Sequence, residues 1–123
     1  MADPLRIHLI DVGDREYGEC LLVEAGGKRI LIDGGHQGDD APAGAYLGIA
    51  RQLRDLTGQQ KVELDLLVLS HAHSDHLGSM PDLVTDGVVE AEWALLPDPD
   101  LSWGRPIGAA PPDESDVPDA VRQ

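Results

Sequence analysis

The apolar positions fall in short runs separated by glycine and proline. Leu5-Arg6-Ile7-His8-Leu9-Ile10-Asp11-Val12, bounded by Pro4 and Gly13, reads as a first strand, too apolar to leave one full face exposed. Cys20-Leu21-Leu22-Val23 and Arg29-Ile30-Leu31-Ile32 flank Ala25-Gly26-Gly27-Lys28. A Gly-Gly pair between apolar runs is a hairpin signal, because glycine accepts the positive φ of a tight turn. Gly34 to Gly44 holds four Gly, one Pro and two Asp and reads as a loop. From Ala45 to about Thr57 the pattern changes to helical spacing: Tyr46, Ile49, Ala50, Leu53 and Leu56 recur on one side, and Gly58 ends the run. Val62 to Leu69 is nearly unbroken in apolar residues, as for a strand covered on both faces. A short helix over Leu77 to Val84, closed by Gly87, and a strand over Val88 to Leu96 complete the order β-β-β-α-β-α-β.

The pattern fades at Pro97. Six of the nine prolines and six acidic residues fall in the last 27 positions, with few large aliphatics, so this tail is expected to pack poorly. Asp116 followed by Pro118 resembles a helix start just before the chain stops. A meander plus one sheet layer also leaves an apolar face without its second layer. The expectation is a partial domain over 1–96 and a Pro/Asp-rich tail over 97–123, together forming the N-terminal part of something longer or the product of a truncated gene.

With 123 residues there is room for one core, and with no Phe, two Trp and two Tyr that core must be aliphatic. Trp93 is expected to pack in it, and Trp93 and Trp103 have no basic stripe that would make them a base-stacking platform. Nine basic against 23 acidic residues give a formal charge of -14, which argues against a nucleic-acid or anionic-membrane surface. The lone Cys20 excludes an internal disulfide framework and reads as a small buried hydrophobe. No apolar run approaches a membrane span and no leader pattern opens the chain, so a cytoplasmic protein is expected.

Three of the five histidines lie in His71-Ala72-His73-Ser74-Asp75-His76, directly after the buried strand. Imidazole nitrogen and carboxylate oxygen suit zinc and other borderline divalent ions. A turn leaving a strand points alternate side chains into one cavity, so His71 and His73 face one side while Asp75 and His76 address a second position. One segment thus serves two metals, the arrangement that clamps both attacking and leaving oxygens in an in-line displacement.

The run His71-x-His73-x-Asp75-His76, preceded by Ile30-Leu31-Ile32-Asp33-Gly34-Gly35 at an earlier strand end, resembles the metallo-β-lactamase superfamily. The resemblance implies an α/β chain of the four-layer α+β type, the N-terminal half of an αββα sandwich. It implies His71 and His73 as ligands of a first metal and Asp75 and His76 as ligands of a second, with Asp75 also orienting the attacking hydroxide as a catalytic residue. Asp33 would orient the metal site through hydrogen bonds; on its own it also reads as a turn aspartate before two glycines. Asp11-Val12-Gly13, then Gly18-Glu19-Cys20-Leu21, is similar to the Asp-Val-Gly-Gln-Gly-Asp opening of the metallo-hydrolase domain in competence-type DNA-uptake proteins, with a longer connection through Asp14 to Tyr17. This suggests a phosphodiester rather than a β-lactam.

The family's complete site needs another histidine for the first metal, a bridging aspartate and a last histidine, and no histidine follows His76. Two protein ligands per ion bind more weakly than the three or four zinc prefers, so little activity is expected of this chain alone. The expected function is a metal-dependent hydrolase of an ester or phosphodiester, using two divalent ions, Zn with Mn or Fe as alternatives. The rival is a non-catalytic remnant or interaction module that retains metal binding, with self-association as a route to a second layer. His36 reads as an exposed loop histidine, the alternative being a reach into the metal pocket. His8 reads as a partly buried or solvent-facing strand residue.

Overall fold

The hairpin is where the chain's local chemistry is plainest. In the computed structural model, which describes residues 4–13, 18–41, 47–70 and 76–97, β2 (Leu21–Ala25) and β3 (Lys28–Ile32) pair antiparallel across Gly26 and Gly27. Both glycines have positive φ, 57° and 77°, the turn whose twist matches the flanking strands. β1 (Arg6–Leu9) pairs antiparallel with β2, so the first three strands form the expected meander.

After β3 the chain crosses over twice. α1 (Ile49–Thr57) leads to β4 (Val62–Val68), parallel to β3, and α2 (Met80–Thr85) leads to β5 (Val89–Leu95), parallel to β4. The five strands form one mixed sheet in the order β1-β2-β3-β4-β5. Successive parallel crossovers in one direction keep the same hand and so place both helices on one face. The core agrees: Ile49 and Leu53 of α1 and Met80 and Leu83 of α2 share one cluster with Leu22, Leu31, Leu64 and Leu67 of the sheet.

α1 ends at Gly58, whose left-handed backbone lets its N–H bond the Arg54 carbonyl at 2.8 Å. Its side is tied to the sheet by Gln52. The Gln52 amide accepts from the Asp11 N–H and donates to the Asp11 carbonyl, both at 2.8 Å, so one side chain satisfies the main chain beyond β1. α2 starts three residues later than the pattern Leu77 to Val84 predicts, because Leu77 to Ser79 form a turn, closed by the Met80 N–H on the Leu77 carbonyl and held by Ser79 on the Gly34 carbonyl.

Burial along β4 alternates as Val62 and Leu64, then resumes as Leu67 and Leu69, so the phase shifts at Asp65-Leu66. At that shift the Asp65 carboxylate accepts the Arg29 N–H at 2.8 Å. The strand is covered on one face rather than two: Leu66 and Val68 are only half-buried.

That second face is the main departure from the sequence expectation. Register places Ile7, Val23, Ile30, Leu66 and Trp93 in one rank across all five strands, and Leu9, Leu21, Ile32, Val68 and Leu95 in the next. Among these, Ile7 is 63% exposed, Leu9 77%, Trp93 70% and Leu95 61%. The first strand therefore does leave an apolar face open, and Trp93 is not a core residue. No helix among the described residues is long and apolar enough to cross a membrane.

Candidate metal centre

The site lies at the carboxyl ends of β3 and β4, where parallel strands deliver their last residues side by side. Asp33 follows β3, and its N–H continues the ladder to the Val68 carbonyl at 2.9 Å. Its φ is 63°, a left-handed conformation that aspartate tolerates better than most residues. The side chain is fully buried. A buried carboxylate needs donors, and Asp33 has three: the Ser70 N–H at 2.7 Å, the Ser70 hydroxyl at 2.6 Å and the His76 ring at 2.8 Å through Nδ1. Ser70 and His76 bracket the segment 71–75, so one carboxylate grips both ends of the histidine motif.

The main chain reinforces this grip. The Gly34 N–H donates to the His76 carbonyl at 2.7 Å, and the Gly34 carbonyl accepts from the Ser79 N–H at 3.1 Å and the Ser79 hydroxyl at 2.6 Å. Gly78 crosses directly over Gly35: a Cβ built on Gly78 would collide with the Gly35 carbonyl. The turn after β3 and the turn after the motif are thus stacked backbone on backbone.

Of the residues that the sequence nominates, His76 and Asp33 come together as described, whereas His71, His73 and Asp75 lie outside the described residues. The structure adds one acidic side chain the sequence reading gave no role. Glu19, Asp33 and His76 each offer a ligand atom, all within 4.8 Å of one another. With Nδ1 committed to Asp33, Nε2 is the His76 nitrogen a metal would take, the usual division of labour in a carboxylate-histidine-metal arrangement. Mixed nitrogen and carboxylate donors at this spacing fit a divalent ion of the zinc or manganese kind.

Beneath the site, Cys20 is fully buried, as expected of a small hydrophobe. Burial pushes its thiol pKa far up, and the negative charges of Asp33 and Asp39 push it further, so it is no nucleophile. His36 departs from the exposed-loop reading. Its side chain is 12% exposed, and the fully buried Asp39 carboxylate accepts its N–H at 2.6 Å and pairs with its Nδ1 at 2.9 Å. The ring packs against Gly18, where any Cβ would meet it. The spacing His36 to Asp39 was the only sequence signal for this pair. His8 behaves as a partly buried strand residue bonded to Glu24 at 3.0 Å.

The chain belongs to the metallo-beta-lactamase superfamily, whose family model matches residues 13–121. That assignment agrees with the α+β sheet and with its reading as the N-terminal half of the superfamily's fold. The superfamily consists mostly of hydrolytic enzymes and typically binds divalent metals. Among curated proteins, the chain is 32% identical over 93 residues to the transcription termination factor FttA of Methanothermobacter thermautotrophicus, an overlap covering 72% of this chain and 14% of that protein. It is 35% identical over 71 residues to the beta-lactamase-like protein 2 homolog of Drosophila melanogaster, covering 58% of this chain and 22% of that protein. The chain thus spans under a quarter of the length of either relative. No solved structure matches it significantly.

Proposed function

We propose that this chain is the metal-binding portion of a hydrolase that cleaves an ester, with a phosphodiester the favoured substrate. The observation that carries the reading is the Asp33 carboxylate bonding Ser70 on one side of the segment 71–75 and His76 on the other. A buried acid that bonds both ends of the motif would hold its residues in a fixed geometry, as the hydrogen-bond partners of metal-ligating histidines do. His71 and His73 would hold one divalent ion, and Asp75 and His76 a second. A bound divalent ion supplies Lewis acidity and lowers the pKa of water at the scissile bond. Asp33 fixes the His76 ring and its tautomer, and Asp75 orients the nucleophile.

The phosphodiester preference rests on the likeness of Asp11-Val12-Gly13 and Gly18-Glu19-Cys20 to the DNA-uptake metallo-hydrolase opening. The two relatives' names, one a transcription termination factor and one beta-lactamase-like, point in different directions and do not choose the substrate.

A second reading, a metal-binding module without activity of its own, is favoured by the open apolar face of the sheet. Zinc and manganese content of the purified chain, compared with a variant carrying His71→Ala and His73→Ala, tests metal binding. Hydrolysis of bis(p-nitrophenyl) phosphate by the loaded chain then separates the two readings. Stoichiometric metal lost in the variant, with turnover of the reporter, supports the hydrolase. Metal without turnover supports the module, and absence of histidine-dependent metal overturns both.

A further inference from the structure

We infer that His36 and Asp39 form a positioning pair for this centre: they lock the Gly34-Gly35 turn that holds the end of the histidine motif, and so set metal affinity without touching the ion. The inference rests on the metallo-hydrolase reading above and adds to it two residues outside the ligand set.

Asp39 engages the turn through main chain and side chain at once. Its N–H donates to the His36 carbonyl at 3.1 Å, and its own carbonyl accepts the N–H of Ile49, the first residue of α1, at 2.8 Å. The carboxylate is fully buried, a placement that needs donors, and His36 supplies its N–H at 2.6 Å and its ring through Nδ1 at 2.9 Å. This carboxylate lies against Gly35: a Cβ built there would stand 2.7 Å from Asp39 Oδ2, 2.9 Å from Val12 and 3.3 Å from Ile49. The imidazole in turn fills the space beside Gly18. Gly18 precedes the Glu19 whose carbonyl accepts the Gly35 N–H at 2.9 Å.

The pair fixes what Asp33 does not reach. Asp33 bonds Ser70 and the His76 ring, whereas the His76 carbonyl is held by the Gly34 N–H and Ser79 by the Gly34 carbonyl. Gly34 and Gly35 have no side chains to anchor themselves, and Gly35 has a positive φ of 62°. Glycine loses more backbone freedom on ordering than any other residue, so a fixed Gly-Gly turn needs an anchor on each side. Asp33 is one anchor. His36 bonded to Asp39 is the other, and through Ile49 it ties the turn to the core beneath α1. Loosening it shifts Gly34 relative to His76 and misaims Nε2, the nitrogen a metal would take. A metal–nitrogen bond of about 2.0–2.1 Å tolerates little misplacement.

The test titrates the full 123-residue chain with Zn²⁺ in competition with a chromogenic chelator, repeats it with Co²⁺ to read the ligand field, and records a thermal melt of each metal-free protein. The variants are His36→Ala, His36→Asn, whose amide stands where Nδ1 stood, and His76→Ala. His8→Gln is the control, since it breaks the His8–Glu24 pair on β1 and β2, at 3.0 Å. The expected result for His36→Ala is an affinity loss of about tenfold, the low end of what partners of metal ligands contribute, with a changed Co²⁺ spectrum in a chain that is still folded. His36→Asn should recover most of both, and His8→Gln should change neither. A lower melting temperature with wild-type affinity and spectrum overturns the inference, because the pair then only stabilises its own loop. Equal losses in His36→Ala and His36→Asn overturn it too, because the bond to Asp39 is then not the route. Should His36→Ala not fold, His36→Gln, which presents its amide at the Nε2 position instead, takes its place in the comparison. Metal uptake by the wild-type chain no greater than by His76→Ala overturns the metallo-hydrolase reading and this inference together.

Discussion

Asp33 and His76 stand 43 positions apart in the chain, yet the ring of His76 lies 2.8 Å from the Asp33 carboxylate. The contact exists because β3 and β4 are parallel neighbours whose ends face the same way, so that a residue after one strand meets the turn after the other. It makes the orientation of a candidate ligand depend on a residue in a different element.

Asp33→Asn keeps the side chain's size and its tolerance of positive φ but replaces one acceptor oxygen by a donor. The amide then opposes the Ser70 N–H if it takes the Oδ1 position, or the Ser70 hydroxyl and the His76 ring together if it takes the Oδ2 position. Stability is expected to fall by about 1–3 kcal/mol, the cost of leaving a buried polar group badly paired. Metal affinity should fall by about 10–100-fold. Urea denaturation and chelator competition measure the two effects; wild-type values in both would remove Asp33 from its orienting role.

Gly78→Ala should prevent the native turn from forming, because the new Cβ has nowhere to go but into the Gly35 main chain. Gly26→Ala is the matching control. Its φ of 57° is also positive, but nothing lies within 4 Å of its Cβ, so only the backbone preference is lost, about 1 kcal/mol. Thermal melts of the two variants should differ widely, the first losing its cooperative transition and the second merely shifting it.

Cys20 yields a prediction in pH. Its thiol pKa is raised on folding from the ordinary 9.0, first by burial and then by Asp33 and Asp39. Below pH 9 the thiol is protonated whether the chain is folded or not, and contributes no pH dependence. Above it the unfolded thiol ionises while the folded one stays neutral, so the unfolded state holds fewer protons and stability falls as pH rises. Urea midpoints should therefore decline above about pH 9, and Cys20→Ala should flatten that decline. A thiol reagent should label Cys20 only after denaturation.

The two sheet faces should respond to substitution in different ways. Leu53→Ala, in the core beneath the sheet, should cost about 2–5 kcal/mol. Leu9→Lys and Trp93→Lys, on the open face, should change stability by less than about 0.5 kcal/mol each. They should also reduce binding of a hydrophobic dye and any self-association seen by sedimentation. A core-sized loss from Trp93→Lys would mean that this face is covered.

Much of this architecture was legible in the chain. The Gly26-Gly27 turn, the stop at Gly58 and the limits of β4 and β5 follow from local chemistry, and the structure reproduces them to within a residue or so, whereas α1 starts at Ile49, four positions after the Ala45 that the spacing suggests, because Gly48 before it is extended. Exposure was less legible. Leu9 and Trp93 sit in apolar runs, and an apolar run reads alike whether or not a second layer covers it. The loop around His36 has the composition of exposed chain, and only the buried Asp39 three positions on draws the histidine inward. Glu19 was hidden for another reason. Its neighbours in sequence say nothing of Asp33 or His76, and only strand pairing brings the three together.

The stacked turns at Gly35 and Gly78 also bear on how such a centre can evolve. Its shape is set by carbonyls, amide groups and two positions that tolerate no side chain. Selection acting on loops that meet a substrate can therefore alter them freely, while the distance between the strand ends stays fixed. A scaffold of this kind separates what must be inherited from what is open to change, which is how one arrangement of metal-binding residues can be carried through proteins with unrelated tasks.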